Sequence, residues 1–176
     1  MTGRRLKMAK KSQRLRTTGE LVRVRPRPAT GRALPAIMKK GAMVFRALVS
    51  REIPAATKID VIRSGVVARV VDEMVEYLAV PKNVIFGILH TPESTAHKLI
   101  KDNRNLDSAA SERVVRVADI TRMAEETFGG HGPATDWLKS PNLALGGATP
   151  LSMLDTEPGA GEVRRILFAI NYGGAF

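Results

Sequence analysis

Apolar residues recur at intervals of three and four along most of the chain, and nowhere do they alternate with a strand's period of two for more than a few residues. "IMKKGAMVFRALV" and "KIDVIRSG" read as short helices, with Pro54 in the break between them and Gly65 placed to supply a left-handed stop. In "VVARVVDEMVEYLAV", Val67, Val70, Val71, Met74, Val75 and Leu78 form one stripe, which predicts an amphipathic helix. Pro81 then opens "PKNVIFGIL" at a helix N-terminus. Thr91 and Pro92 supply a cap and a first helical position for "TPESTAHKLIK". A long helix, "SAASERVVRVADITRMAEETFG", is expected from Asp107 or Ser108 to the Gly129-Gly130 pair. The predicted class is all-α.

The C-terminal third is denser in punctuation. Trp137 and Leu138 end a helix, "SPN" turns the chain, and Gly146-Gly147 permits a positive-φ bend before Thr149 caps a short helix begun by Pro150. Thr156 caps a last helix with Pro158 in its first turn. There Val163, Ile166, Leu167 and Ile170 predict an inner stripe packed on "PLSML" and Trp137. That register turns Arg165, Phe168 and Tyr172 outward, with Arg164 beside them. Exposed aromatics among arginines are enriched where proteins meet, although Phe168 folded back on its own domain is the plainer alternative. Beyond Asn171, Gly173 and Gly174 free the chain before Ala175 and Phe176.

"VVRVADITRM" spreads apolar residues over several faces, Val114, Val117 and Ala118 on one and Ile120 and Met123 on another. It suits a central buried helix, or else a subunit contact.

Charge changes the picture only once it is located. The chain has 176 residues and a formal net charge of +11, yet 13 of its 28 Lys and Arg and one of its 17 acids, Glu20, lie in residues 1–40. The remainder of the chain is almost neutral. Residues 1–36 therefore read as a flexible basic arm, either a solvated tail or an element that touches phosphates or an acidic partner. The absence of cysteine excludes disulfides and thiolate zinc sites, and no apolar run reaches the roughly 20 residues that span a bilayer, so a cytoplasmic protein without membrane attachment is expected.

Two short helices across a tight turn, "PKNVIFGIL" and "TPESTAHKLIK", have the layout of a helix-turn-helix. Ala96, Leu99 and Ile100 share an inward face of the second helix. Ser94, His97, Lys98 and Lys101 fall opposite, flanked by Thr95 and Glu93, with Arg104 just beyond the helix. Such a face offers donors to base edges and phosphates, or simply meets water as in any helical hairpin. Elsewhere, His90, His97 and His131 have no acidic residue at metal-ligand spacing, Gly146-Gly147 lacks the strand and lysine of a phosphate loop, and Asp155 and Glu157 flank a helix start. No catalytic, metal or cofactor constellation emerges.

The run "WLKSPNLALGGATPLSMLDTEPGAGEVRRIL…INYG" closely resembles the C-terminal toxin-binding domain of the Xre/MbcA/ParS antitoxin family, through Trp137, Leu138, Asn142, Ala144, Leu145, Gly146, Gly147, Thr149, Pro150, Asp155, Thr156, Tyr172 and Gly173. A looser similarity to an Xre-like helix-turn-helix extends upstream to about Ile59. The resemblance implies three parts: the arm at 1–36, a helix-turn-helix domain at 37–128 and a toxin-binding domain at 129–176. It also implies an antitoxin, not an enzyme, that covers the active site of a NAD-depleting RES-domain toxin and binds its own promoter; a stand-alone transcriptional regulator is the alternative. A homodimer and a larger toxin–antitoxin assembly are expected partners in solution. On the DNA side the sequence departs from the family pattern. Phe86 stands where a small residue is usual, His90 where glycine is usual and Thr91 where an apolar residue is usual. Toxin contacts are expected from Arg164, Arg165, Phe168, Asn171, Tyr172, Gly173, Gly174, Ala175 and Phe176, the tail lying across the toxin's pocket.

Overall fold

A computed structural model describes residues 43–173; the predicted basic arm and the expected contacts of Gly174, Ala175 and Phe176 lie outside them. The helices run α1 Val44–Val49, α2 Ala55–Ser64, α3 Val70–Leu78, α4 Lys82–Leu89, α5 Glu93–Lys101, α6 Ser108–Phe128, α7 His131–Lys139 and α8 Glu157–Tyr172, with 3₁₀ turns at Leu143–Leu145 and Leu151–Asp155 between the last two. Among the described residues the β structure is confined to one antiparallel bridge, Val67 to Asn105. The fold is all-α.

The long helix α6 is the axis on which the rest packs: α1, α2, α4, α7, α8 and the second 3₁₀ turn all lie against it. Its apolar residues point in several directions because it is enclosed, with Val114, Val117, Ala118, Ile120 and Ala124 fully buried. Two of its buried hydroxyls are hydrogen-bonded to main chain. Ser111 accepts from the Val66 N–H at 2.8 Å, and Thr121 donates to the Val117 carbonyl at 2.8 Å. Asp107 caps the start by accepting the Ala110 N–H at 2.7 Å, and Gly129 ends the helix at φ 74°.

Local chemistry explains where the elements depart from expectation. The stripe of α3 starts at Val70, because Val67 is held in the bridge to Asn105. α5 starts one residue later than predicted: Pro92 is its N-cap, and the Thr91 hydroxyl turns back to donate to the Leu89 carbonyl at 3.3 Å. The inner face of α8 is Gly159, Ala160, Val163 and Leu167, whereas Ile170 is 47% exposed. The reason is Gly159. A Cβ there would fall on the Met153 carbonyl oxygen, so the start of α8 sits backbone to backbone on the second 3₁₀ turn and Ile166 and Ile170 are displaced to a flank. Trp137 packs on Phe128 at the end of α6, ring centroids 5.2 Å apart.

Candidate functional site

The α4–α5 pair is closed by a Schellman turn. His90 takes the left-handed position at φ 52° and ψ 35°, its N–H donates to the Gly87 carbonyl at 3.1 Å and that of Thr91 to the Phe86 carbonyl at 3.1 Å. Histidine is among the residues that tolerate this region, so the glycine usual at the turn is dispensable here. Phe86 is buried and meets the His97 ring in a T-shaped pair, centroids 5.6 Å apart. The two helices close over Ala96, the smallest residue of the inner face. Ser94, Thr95, Lys98, Lys101 and Arg104 are exposed, as expected of an outward face. His97 stands on its flank, between Phe86 and Glu93 Oε1, which is 3.3 Å from Nε2.

The C-terminal motif residues build a closed loop. The Asn142 side chain accepts from the Ala144 N–H at 2.9 Å, while its backbone donates to Ala148 and accepts from Gly147. Gly146 and Gly147 both have positive φ, 65° and 88°. Leu145 leans on the core, Thr149 accepts from the Ser152 N–H at 3.2 Å, and Pro150 is the N-cap of the 3₁₀ turn. Thr156 caps α8 through the Gly159 N–H at 3.3 Å.

Two arginines of α6 tie this motif to the helix-turn-helix half, and the sequence pattern singles out neither. Arg113 donates to the carbonyls of Leu89 and Asp155, both at 3.3 Å, and lies 3.4 Å from His90 Nδ1, whose Nε2 is 3.4 Å from Asp155 Oδ2. Arg116, only 9% exposed, donates to the Leu154 carbonyl at 3.2 Å and pairs with Glu112 and Glu157. Glu157 also accepts from Arg164 at 2.8 Å. That hydrogen bond, aided by the nearby charges of Arg164 and Arg116, holds the Glu157 carboxyl below its ordinary range. Glu157 thus holds two arginines, and Asp155 meets Arg113 through its main-chain carbonyl and His90 through its carboxylate, besides flanking a helix start. The signal available in sequence is that arginines inside a helix with several apolar faces must find acceptors.

Of the predicted outer residues of α8, Phe168 is 47% and Tyr172 78% exposed, and their rings stack with centroids 6.1 Å apart and planes 20° from parallel. Arg165 lies beside them, paired with Glu162 at 2.6 Å. Arg164 is turned to Glu157. Asn171 donates to the Thr127 hydroxyl at 2.8 Å, pinning the end of α8 to α6, and Gly173 ends the helix at φ 77°. On the opposite flank, Ala144, Arg165, Ile166, Ala169 and Ile170 line an open apolar groove of about 360 Å³, next to a 96% exposed Leu143. Helical periodicity hides this flank, because it places Ile166 and Ile170 in the core.

Tyr77 belongs to a separate structural cluster. Burial, and the hydrogen bond it donates to Glu125 at 2.8 Å, push its phenol up to about 12, and Phe45 and His131 each form a T-shaped pair with its ring. Among the described residues no group of three His, Asp or Glu is placed to hold a metal, and no helix is long and apolar enough to cross a membrane.

The helix-turn-helix pair and the capped glycine loop define a DNA-binding type of fold joined to a small helical module with exposed aromatics. Residues 58–119 match the antitoxin Xre-like helix-turn-helix domain, and residues 123–173 match the antitoxin Xre/MbcA/ParS C-terminal toxin-binding domain. The chain is 34% identical over 125 residues to the Prs ADP-ribosylating antitoxin of Sphingobium sp. (strain YBL2), covering 66% of this chain and 79% of that protein. It is 38% identical over 82 residues to an antitoxin Xre of Pseudomonas putida (47% and 52%), and 28% identical over 116 residues to one of Yersinia enterocolitica (65% and 78%). The chain belongs to the Xre/MbcA/ParS antitoxin family, with a helix-turn-helix and a toxin-binding domain. Like its relatives it is a regulatory protein rather than an enzyme.

Proposed function

We propose that this antitoxin neutralises a RES-domain, NAD-consuming toxin in the cytoplasm by laying the outer face of α8 over the toxin's active site, and represses its own operon through α4 and α5. The observation that carries the reading is the exposed Phe168–Tyr172 stack beside Arg165 on the domain of the toxin-binding type. Stacked rings left in water cost the free protein solvation that a partner recovers, and arginine beside aromatics is the composition of interface hot spots. Promoter binding is supported by the exposed Ser94, Thr95, Lys98, Lys101 and Arg104, and a homodimer by the pairing of half-sites that such folds read.

The name of the Sphingobium relative joins an antitoxin to ADP-ribosylation. That favours a second form of the same reading, in which the toxin transfers ADP-ribose to a protein instead of only hydrolysing NAD. Both forms consume NAD. Co-expression with a cognate RES-domain toxin is expected to restore growth and cellular NAD, and the two proteins are expected to co-purify. Toxicity undiminished despite soluble antitoxin would overturn the proposal. Modified protein in the unprotected cells would select the transferase form.

A further inference from the structure

The cations from α2 to Arg104 fall into two groups. Lys58 and Lys82 are engaged, with Asp119 and Asp72, each at 2.6 Å. Arg63, Arg69, Lys98, Lys101 and Arg104 are all exposed and form no ion pair with a described carboxylate. Nearby acids are mostly committed: Asp107 caps α6, Glu93 meets His97, and Glu73 accepts the Phe45 N–H at 2.8 Å. Asp60, Glu76 and Asp102 remain on these elements, against five cations.

Backbone pairing brings the segments of Arg63 and Arg69 to that of Arg104. The segment after α5 is zipped onto the segment before α3: Ala68 N–H donates to the Arg104 carbonyl at 2.9 Å, Leu106 N–H to the Val66 carbonyl at 2.8 Å, and Val67 bridges Asn105. The Asn105 amide donates to the Ser64 carbonyl at 3.1 Å, which brings in the end of α2. Gly65 permits the approach, since a Cβ there would stand 2.5 Å from the Leu106 carbonyl oxygen. Arg63 and Arg69 are thereby brought next to Arg104, which follows the last turn of α5 and its Lys98 and Lys101.

We infer that Arg63 and Arg69 extend the DNA interface beyond α5 as phosphate-contact residues, the five cations forming one strip along a strand backbone. The inference rests on the operator-binding reading above. These two side chains lie off the helix that offers donors to base edges, so their chemistry is that of charge: long, exposed and suited to phosphate oxygens without regard to sequence. A phosphate contact releases counterions, and each contributes about 0.9 to the slope of log K against log salt concentration.

The test uses the full chain, with binding to its own promoter duplex and to a random duplex of equal length measured by anisotropy from roughly 50 to 300 mM salt. Arg63→Gln and Arg69→Gln are each expected to weaken both duplexes by a similar factor, about three- to tenfold, and to lower the salt slope by about 1. Lys139→Gln, on α7, removes an equal charge elsewhere and is the control. Equal behaviour of control and variants, or a loss confined to the promoter duplex, would overturn the strip. Lys98→Gln and Lys101→Gln separate the two levels: weakening by these alone discards the strip and keeps operator binding. A wild-type chain that binds neither duplex discards both. Because Arg63 and Arg69 are exposed, unchanged melting temperatures are expected and certify the comparison.

Discussion

Arg113 on α6 and Asp155 at the end of the second 3₁₀ turn are joined by a hydrogen bond from the guanidinium Nε to the main-chain carbonyl, 3.3 Å long. The same guanidinium reaches the Leu89 carbonyl at the end of α4. Helix ends present carbonyls that their own backbone leaves unpaired and that carry partial negative charge. One cation thus closes two such ends, one from the helix-turn-helix and one from the glycine-loop motif.

Arg113→Met keeps the apolar stem and removes both bonds. Hydrogen bonds from a charged donor contribute about 1.5–3 kcal/mol each, less where water can replace them. A loss of about 2 kcal/mol is expected, lowering the melting temperature by roughly 4–8 °C. A change under about 0.5 kcal/mol would mean that water serves the two carbonyls equally well.

Two glycines of α8 are expected to respond with opposite sign. Alanine is favoured over glycine inside a helix by about 1 kcal/mol. At Gly161 nothing lies within 4 Å of the added Cβ, so Gly161→Ala gains stability. At Gly159 the methyl lands on the Met153 carbonyl, and Gly159→Ala costs at least about 2 kcal/mol after the helix gain, because backbone must move. Thermal melts of the two variants decide this, and a stabilised Gly159→Ala would refute the close packing of α8 on the turn.

What was legible in the sequence was local. Asp107 and Gly129 bracket α6, Thr156 caps α8, and Gly146 and Gly147 bend the loop, because each works through the backbone within a few residues of itself. The burial of α6 was legible for a related reason, since apolar residues on several faces must be covered, but whether by the core or by a second subunit was not. Contacts made across the fold were hidden. Asn171 and Thr127 are 44 positions apart, and the orientation of α8 that exposes Ile170 follows from backbone contact at Gly159, which no periodicity encodes. Thr91 shows the limit even locally, since a hydroxyl before proline can satisfy a preceding carbonyl instead of the next helix.

Glu157 gives a pH dependence whose direction can be worked out. Its carboxyl lies below the ordinary range because Arg164 donates to it, so the folded protein favours the charged form more than the unfolded chain does. The stability from the pair is present above the unfolded carboxylate range, about 4.3, and is lost as pH falls through the lower folded value. Urea melts of wild type and Glu157→Gln should therefore differ at neutral pH and converge as pH falls below the ordinary carboxylate range. The carboxylate is more than half exposed, so the difference is small and weakens with salt. A gap that persists unchanged at low pH would assign the effect to packing.

The last prediction distinguishes the two flanks of α8 as the toxin's landing site. Phe168 and Tyr172 form a stack on the side away from the core, and Ile166 and Ile170 line the groove near Leu143. Arg165 borders the groove and also lies beside the stack, so its own substitution cannot tell the flanks apart. Removal of both rings, Phe168→Ala with Tyr172→Ala, takes away two exposed aromatic side chains and, if the stack is the anchor, should cost about 2 kcal/mol or more of binding, roughly thirtyfold in Kd. Ile170→Ser removes an equally exposed apolar group from the groove. If the stack is the anchor, this variant loses well under tenfold and still protects cells, whereas the double variant fails to protect while retaining its melting temperature and its affinity for promoter DNA. The reverse order of effects, measured by titration of the purified toxin with each variant, would move the inhibitory surface into the groove.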